Sequence, residues 1–588
     1  QGDLVVDVPQ DTVINAQVVR KAAVDRHIER LPAVQLCYVE VDEPDMHKPL
    51  GDLDRMKQVL EKDWGWKDPL IAPHLIPQVQ GILRKENWGV TVAIHRDWDA
   101  SRPFIIAMWP GLKNEAYGIA CDIGSTTIAM HLVSLLSGRI VASSGAPNPQ
   151  IRFGEDLMSR VSYVMMNPDG REAMTKAVRE AVNALIGKVC EEGGVDRHDI
   201  LDSVFVANPI MHHLFLGIDP TELGQAPFAL AVSGALQYWA HDLDIDINRG
   251  ARLYTLPCIA GHVGADAAGA ALSEGPYRQD RMMLLVDVGT NAEIILGNRS
   301  RVVAASSPTG PAFEGAEISS GQRAAPGAIE RVRIDPETLE PKFRVIGVDK
   351  WSDEEGFEEA AGAVGVTGIC GSAIIEVVAE MYLTGIISED GVVDGAMAAR
   401  SPRIFQNGRT FSYLLRDGEP RITVSQNDVR AIQLAKAALY AGVKLLMEKQ
   451  DVDHVDLIRF AGAFGSFIDP KYAMVLGLIP DCDLADVKAV GNASGTGALM
   501  ALLNRDHRRE IEDEVKKIEK IETALEPHFQ QLFIDAMALP NKVDPFPNLE
   551  QAVKLPPKKA PAAEHGEGAD AAAPRRRSRE ERAARRRS

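Results

Sequence analysis

The sequence predicts an α/β fold with two lobes built on one duplicated module and a small α/β unit ahead of them. Three observations carry this. At 588 residues the chain is too long for one hydrophobic core, so several domains are expected. Strand-like and helix-like runs alternate along most of its length. A strand–turn–strand pattern at Asp122 returns, with the same order of residues, at Asp287, 165 positions later.

The elements read in order as follows. Residues 1–20 are a strand, LVVDVP, and a linker. Residues 21–112 form the small unit. VQLCYVEV (34–41) and WGVTVAIHRD (88–97) are strands; DLDRMKQVLEKDW (52–64) and HLIPQVQGILRKE (74–86) are helices. No catalytic motif stands there, so packing or docking is its expected role. Lobe I, residues 113–280, opens on YGIACDIGSTTIAMHLVSLLSG (117–138). Lobe II, residues 281–545, opens on MMLLVDVGTNAEIILGN (282–298). Helical stretches follow each hairpin, such as residues 171–194. Residues 509–527 carry Ile511, Val515, Ile518, Ile521 and Leu525 at helical spacing and read as a packed surface helix. From 546 to 588 the chain is taken as a tail, Ala/Pro/Glu-rich and ending RRRSREERAARRRS. Such a segment buries no core and is expected to be disordered, a solubilising tail or a contact for RNA, an acidic partner or a membrane surface.

A net charge of -19 argues against a nucleic-acid-binding body. No run approaches the roughly 18 apolar residues of a membrane helix, so no membrane span is expected. Cys37, Cys121, Cys190, Cys258, Cys370 and Cys482 are scattered. Neither a disulfide framework nor a Cys-x-x-Cys site looks like this, and a reducing, cytoplasmic compartment is expected.

The chemistry starts at the turns. A hydrophobic strand ends at Asp122, and Gly124, Ser125, Thr126 and Thr127 follow. A glycine turn lets backbone N–H groups approach phosphate oxygens, and the hydroxyls add donors. A strand-end aspartate suits Mg²⁺ held through water, because Mg²⁺ dehydrates reluctantly. Asp287, Gly289, Thr290 and Asn291 repeat the arrangement, so two facing turns can clamp the phosphates of ATP. A third run, LIRFAGAFGSFIDP (457–470), has Gly462 and Gly465 where a planar base can lie against backbone. Two runs of small residues, IAGHVGADAAGAAL (259–272) and VGNASGTGALMALL (490–503), suit helices that cross closely at a hinge. Hairpin, hinge helix, hairpin, base loop and hinge helix, in this order over roughly 115–505, resemble the actin-like and sugar-kinase-like ATPase superfamily, whose lobes are duplicated ribonuclease-H-like units.

Four further runs narrow the resemblance: NPQIRFGEDLMSRV (148–161), NPIMHHLFLG (208–217), SSPTGPAFEGAEISSGQRAAPGAIE (306–330) and TGICGSAIIEVVAE (367–380). With the small domain in front, they resemble the reductive activators of corrinoid proteins over most of residues 1–540. The resemblance implies an ATP hydrolase coupled to one-electron reduction, returning a corrinoid protein from inactive Co(II) to Co(I). It implies ATP and Mg²⁺ as cofactors, an electron donor, and a homodimer. Members of the family usually begin with a ferredoxin-like domain holding a two-iron two-sulfur cluster. LVVDVP looks like the strand after such a domain, so the cluster is expected only in a domain missing from this chain, or else a separate reductase serves it.

Asp122 and Asp287 are the expected metal and catalytic aspartates. Gly124, Ser125, Thr126, Thr127, Gly289, Thr290, Asn291, Gly462 and Gly465, with Gly368 and Gly371 of the fourth run, are the expected nucleotide contacts. The water-activating base is open between Glu155, Asp156 and Glu293, with Glu155 taken as the catalytic candidate. Arg323 is a phosphate or partner contact, or a structural ion pair. His212 and His213, beside Met211 and Leu214, read as core or hinge histidines rather than cobalt ligands. Cys370 is no cluster ligand alone, although a symmetric dimer offers two copies, as in the related activators of 2-hydroxyacyl-CoA dehydratases. The competing functions are a small-molecule kinase acting on a sugar or carboxylic acid, and a chaperone-like ATP-gated scaffold.

Overall fold

The structure, a computed structural model, describes residues 28–98, 102–289, 291–465 and 467–557. The expected N-terminal strand and linker lie outside the described residues.

The small domain is a four-stranded sheet, order β1-β3-β4-β2, from β1 Val34–Glu40, β2 Leu70–Ile71, β3 Gly89–His95 and β4 Phe104–Pro110. Helix α1 (Asp52–Trp64) ends at Gly65, whose φ of 74° is the left-handed conformation glycine adopts without a Cβ penalty. A shorter helix, α2 (Val79–Leu83), completes it. Met56 and Leu60 of α1 join Cys37, Val39, Val90 and Val92 in a closed core.

Lobe I has β5 (Tyr117–Ile123), β6 (Thr127–Ser134) and β7 (Ile140–Pro147) as an antiparallel meander. After α3 (Leu157–Met166) and α4 (Gly170–Gly193), β8 (Ile200–Ala207) pairs parallel with β5. Helix α5 (Pro209–Leu216), β9 (Leu236–Trp239) and β10 (Arg252–Thr255) follow, and the sheet order is β7-β6-β5-β8-β10-β9. Helix α6 (Ala265–Glu274) leads out.

Lobe II repeats the wiring. β11 (Met283–Val288), β12 (Asn291–Asn298) and β13 (Arg301–Pro308) form the meander. An insertion carries β14 (Ala328–Ile334), β15 (Pro341–Val345), α7 (Phe357–Val364), β16 (Gly368–Ile369) and α8 (Gly371–Leu383). It continues through a three-stranded sheet, β17 (Ile404–Asn407), β18 (Thr410–Arg416) and β19 (Ile422–Val424). After α9 (Gln426–Gln450), β20 (Leu457–Ala461) pairs parallel with β11. α10 (Gly462–Gly465) and α11 (Pro470–Leu476) lead to β21 (Val487–Gly491), parallel to β20. Five strands of each sheet share one connectivity, and this makes the duplicated, two-lobed actin-like fold, preceded by a small α/β domain.

The chain then crosses back. Helix α12 (Ala493–Leu503) packs on β5 and β8 of lobe I and crosses α6. The crossing is glycine on glycine: a Cβ at Gly497 would fall far inside contact distance of the Gly269 carbonyl oxygen, and one at Gly269 would lie 2.8 Å from that of Ser494. Gly497→Ala is therefore expected to lower stability by about 2–3 kcal/mol, the upper part of the overpacking range, read as a shift in the urea midpoint. Gly269→Ala should cost less.

Helix α13 (Arg505–Val515) locks the small domain to this seam. Leu31 N–H donates to Leu503 O and Arg505 N–H to Leu31 O, both at 2.9 Å. Arg508 is fully buried between Asp97 of the small domain and Asp202 of β8, at 2.6 Å from each.

Two expectations change here. The helix expected over 509–527 ends at Val515. Glu519–Lys520 instead forms β22, parallel to β13. Ile521 N–H donates to Ala304 O, so the open edge of the lobe II sheet captures the segment against its helical periodicity. The tail expected from 546 begins later. After α14 (Phe529–Asp535), Pro547–Ala552 forms α15, and Phe546 and Leu549 are buried in the lobe II core. The expected disorder of 558–588 lies outside the described residues.

Candidate functional site

The first turn is closed by Gly124 N–H donating to Thr127 O at 3.0 Å. A Cβ on Gly124 would lie 2.7 Å from that same oxygen, so only glycine fits. Each carbonyl of the turn is tied back into the lobe. Gly124 O accepts from Asn148 Nδ2 (2.9 Å), Ser125 O from Arg160 Nη2 (2.6 Å) and Thr126 O from Asn148 N–H (2.9 Å). The amides of Ser125 and Thr126 have no acceptor among the described residues. Successive unpaired N–H groups of this kind make an anion-binding concavity. Thr127 starts β6.

The second turn has Gly289 N–H on Asn291 O (3.2 Å) and Thr309 Oγ1 on Gly289 O (2.7 Å). Thr290 lies outside the described residues.

Four carboxylates gather by these turns. Asp122 is buried at the end of β5. Asp287 on β11 stands directly opposite Glu293 on β12, where like charges repel. Asp266, in the first turn of α6, completes the group. Burial pushes its carboxyl up to about 7, and Asp122 and Asp287 add to the shift. Burial, then Asp266 and Asp287, raise Glu293 well above the usual carboxylate range. Such a cluster ionises fully only beside a counter-charge. An all-oxygen donor set suits Mg²⁺. Among the described residues no three such groups converge as direct ligands.

Gly462 adopts a φ of 83°, and the Asp287 Oδ1 oxygen occupies the space its Cβ would take. The Cβ side of Gly462 is therefore filled by the carboxylate. A Cβ at Gly465 would turn into Phe460 at 3.3 Å.

Gly368 lies on β16, where a Cβ would meet Gln322 Oε1 at 2.7 Å, and Gly371 starts α8. They stand in the insertion, linked towards the second turn by the segment from Thr309 to Gln322, whose N–H donates to Ile369 O (2.9 Å). Cys370 is buried there, its thiol pushed up by burial. Arg323 is exposed and has no ion pair among the described residues. Glu155 is exposed. Asp156 caps α3 through Ser159 N–H (2.8 Å) and Oγ (2.6 Å). His213 is held by Pro209 O (2.9 Å) and Ala231 N–H (3.0 Å). His212 is buried and pushed down to about 3 by burial and by His213, so both read as core histidines. Sequence reasoning missed Asp266, Asn148, Thr309 and Arg160. A single carboxylate in the otherwise small-residue run 259–272 was the available signal for the first; the others bond backbone, which leaves no spacing to read.

Three family models match in succession: the RACo linker region over 23–115, the RACo middle region over 117–279, and the C-terminal ASKHA domain of RACo over 281–550. The corrinoid activation enzyme RamQ of Eubacterium limosum is 33% identical over 497 residues, 82% of this chain and 79% of RamQ. A [Co(II) methylated amine-specific corrinoid protein] reductase of Methanosarcina barkeri is 24% identical over 441 residues, 68% of this chain and 73% of that protein. A solved reductive activator for a corrinoid, iron–sulfur protein superposes with a TM-score of 0.77 at 30% identity, covering 91% of this chain and 85% of its own. With the turns, the carboxylates and the crossed helices already placed, these matches show that the chain belongs to the RACo family of corrinoid-protein activators.

Proposed function

We propose that this chain spends ATP to return a corrinoid protein from Co(II) to Co(I). The observation that carries the reading is the pairing of two phosphate-type turns with four carboxylates beside a glycine-crossed hinge, in a chain whose relatives bear these activities. The Ser125 and Thr126 amides donate to phosphate oxygens, and the second turn adds to the clamp. Asp122 and Asp287 would hold Mg²⁺ through water, and the ion would neutralise charge on the triphosphate. Glu293 is the base we favour among the three carboxylates considered, because it stands directly opposite Asp287 in the same cluster.

The redox step is one electron from a low-potential donor to cobalt; ATP is no redox partner. Every 59 mV of uphill potential costs a factor of ten, and closure of the lobes around nucleotide supplies a state in which the partner's corrinoid is easier to reduce. The proposal includes an iron–sulfur domain or separate reductase as donor and a homodimer as the working form. It places the protein in the cytoplasm, in keeping with six buried cysteines scattered along the chain.

The test is ultraviolet–visible spectroscopy of a Co(II) corrinoid protein mixed with this chain, titanium(III) citrate and Mg-ATP. The Co(I) band should grow only with ATP and disappear in Asp287→Ala at unchanged circular dichroism. No Co(I) with several corrinoid proteins, together with ADP release on adding a sugar or carboxylic acid, would replace this reading with a kinase.

A further inference from the structure

Arg160 is fully buried on α3, yet it has no ion-pair partner among the described residues. Its partners are neutral: Nε donates to Gly154 O (2.9 Å), Nη2 to Ser125 O (2.6 Å), and Nη1 lies 3.1 Å from Met211 Sδ. The nearby Asp156 carboxylate is committed to Ser159. Burial pulls the guanidinium down only to about 10, so it stays charged at neutral pH. Asp156 offsets the charge without pairing with it directly, and a buried charge with no direct ionic partner is costly, a cost that an apolar side chain filling this space would not carry. Gly154 lets the loop close over the residue, since a Cβ there would lie 2.7 Å from Arg160 N.

The bond to Ser125 O is the informative one. Ser125 C=O and Thr126 N–H belong to one peptide plane, so fixing the oxygen fixes the direction of the hydrogen. A charged donor on the carbonyl also polarises the amide, strengthening Thr126 N–H as a donor. Asn148 fixes the peptides on either side, at Gly124 O and Thr126 O, but carries no charge.

We propose that Arg160 is a positioning residue for polyphosphate: it locks and polarises the Ser125–Thr126 peptide from behind, and its unpaired positive charge favours the triphosphate over an uncharged nucleoside. The inference rests on the ATP-binding reading above. It requires no contact between Arg160 and nucleotide.

The test is calorimetric titration of the full chain with Mg-ATP, Mg-ADP and adenosine, for wild type, Arg160→Met and Arg160→Lys, with steady-state ATP hydrolysis alongside. In Arg160→Met the dissociation constants for ATP and ADP should rise at least thirtyfold while that for adenosine stays within twofold. Arg160→Lys keeps the charge but has one nitrogen for two carbonyls. It should recover part of the affinity, with KM for ATP raised and kcat within threefold. Equal losses for adenosine and ATP would mean a merely structural role and overturn the proposal, as would unchanged ATP affinity. If the Met variant does not fold, the Lys variant decides by the same comparison. No ATP binding by the wild type would overturn the nucleotide reading itself; normal wild-type binding with indifferent variants would overturn only the role of Arg160.

Discussion

Gly462→Ala is expected to remove at least two orders of magnitude of ATP turnover and leave the chain folded. At a φ of 83° an alanine pays about 1–2 kcal/mol in backbone strain. That alone is tolerable for a domain of this size. The larger effect is steric, because the new Cβ would occupy the position of Asp287 Oδ1. The carboxylate has to move by roughly 1 Å or more to restore contact distance, and displacements of that size cost about 100-fold in rate. Asp287 also faces Glu293 across the β11–β12 pair, so the shift reaches the cluster and not one residue. Gly465→Ala is the control. Its Cβ would meet Phe460 at 3.3 Å, a contact a small adjustment relieves. Steady-state hydrolysis of Mg-ATP, with circular dichroism and a melting curve for each variant, makes the comparison. Turnover of Gly462→Ala within threefold of wild type would sink the assignment of Asp287 to the reacting centre.

The same geometry explains what the sequence could and could not disclose. The two hairpins were legible because each is local: an apolar strand, an aspartate, a glycine turn and a second strand follow one another within about twenty residues. The helix crossing was legible because small residues at Gly269 and Gly497 have few other uses in buried helices. Asp266 was not legible as a site residue. Its partners, Asp122 and Asp287, come from different strands in different lobes, and only the fold brings them together. Gly462 was read for its size alone; that Asp287 occupies its Cβ side is set by the fold and has no local signal. Residues 516–525 have helical periodicity, but the open edge beside β13 decides their conformation. Arg508 carried no signal at all: nothing in RDHRREIEDEV distinguishes the one arginine that is buried from its exposed neighbours.

That arginine gives the second large effect. Arg508→Met is expected to destabilise the protein by about 3–5 kcal/mol, because it strands two buried carboxylates. Asp97 and Asp202 each lie 2.6 Å from the guanidinium and are almost wholly buried. Their situations differ. Burial pushes Asp202 up to about 6 in spite of Arg508. In Asp97 burial is outweighed by Arg508 and His95, with a bond from Trp98 N–H, and the carboxyl is held low. Without Arg508, Asp202 escapes the penalty most easily by taking a proton. The folded pKa then lies further above the unfolded value of about 3.9, so this relief is full at low pH and lost as pH rises through the folded pKa. The loss in Arg508→Met should accordingly be larger at pH 8 than at pH 5. Asp97→Asn and Asp202→Asn keep the oxygens that accept from Trp98 and Ser203 while removing both charges. Added to Arg508→Met, they should recover a large part of the loss, although Arg508→Met has itself removed the bond to Ala501 O. Urea unfolding of the single and triple variants at both pH values tests this. A cost below about 1 kcal/mol, or one independent of pH, would mean that water reaches the triad and that the small domain is held to lobe I mainly by the apolar contacts of Val34, Ala93, Ile106 and Ala107. A cost of the expected size makes this buried triad the joint that holds the small domain, lobe I and α13 together.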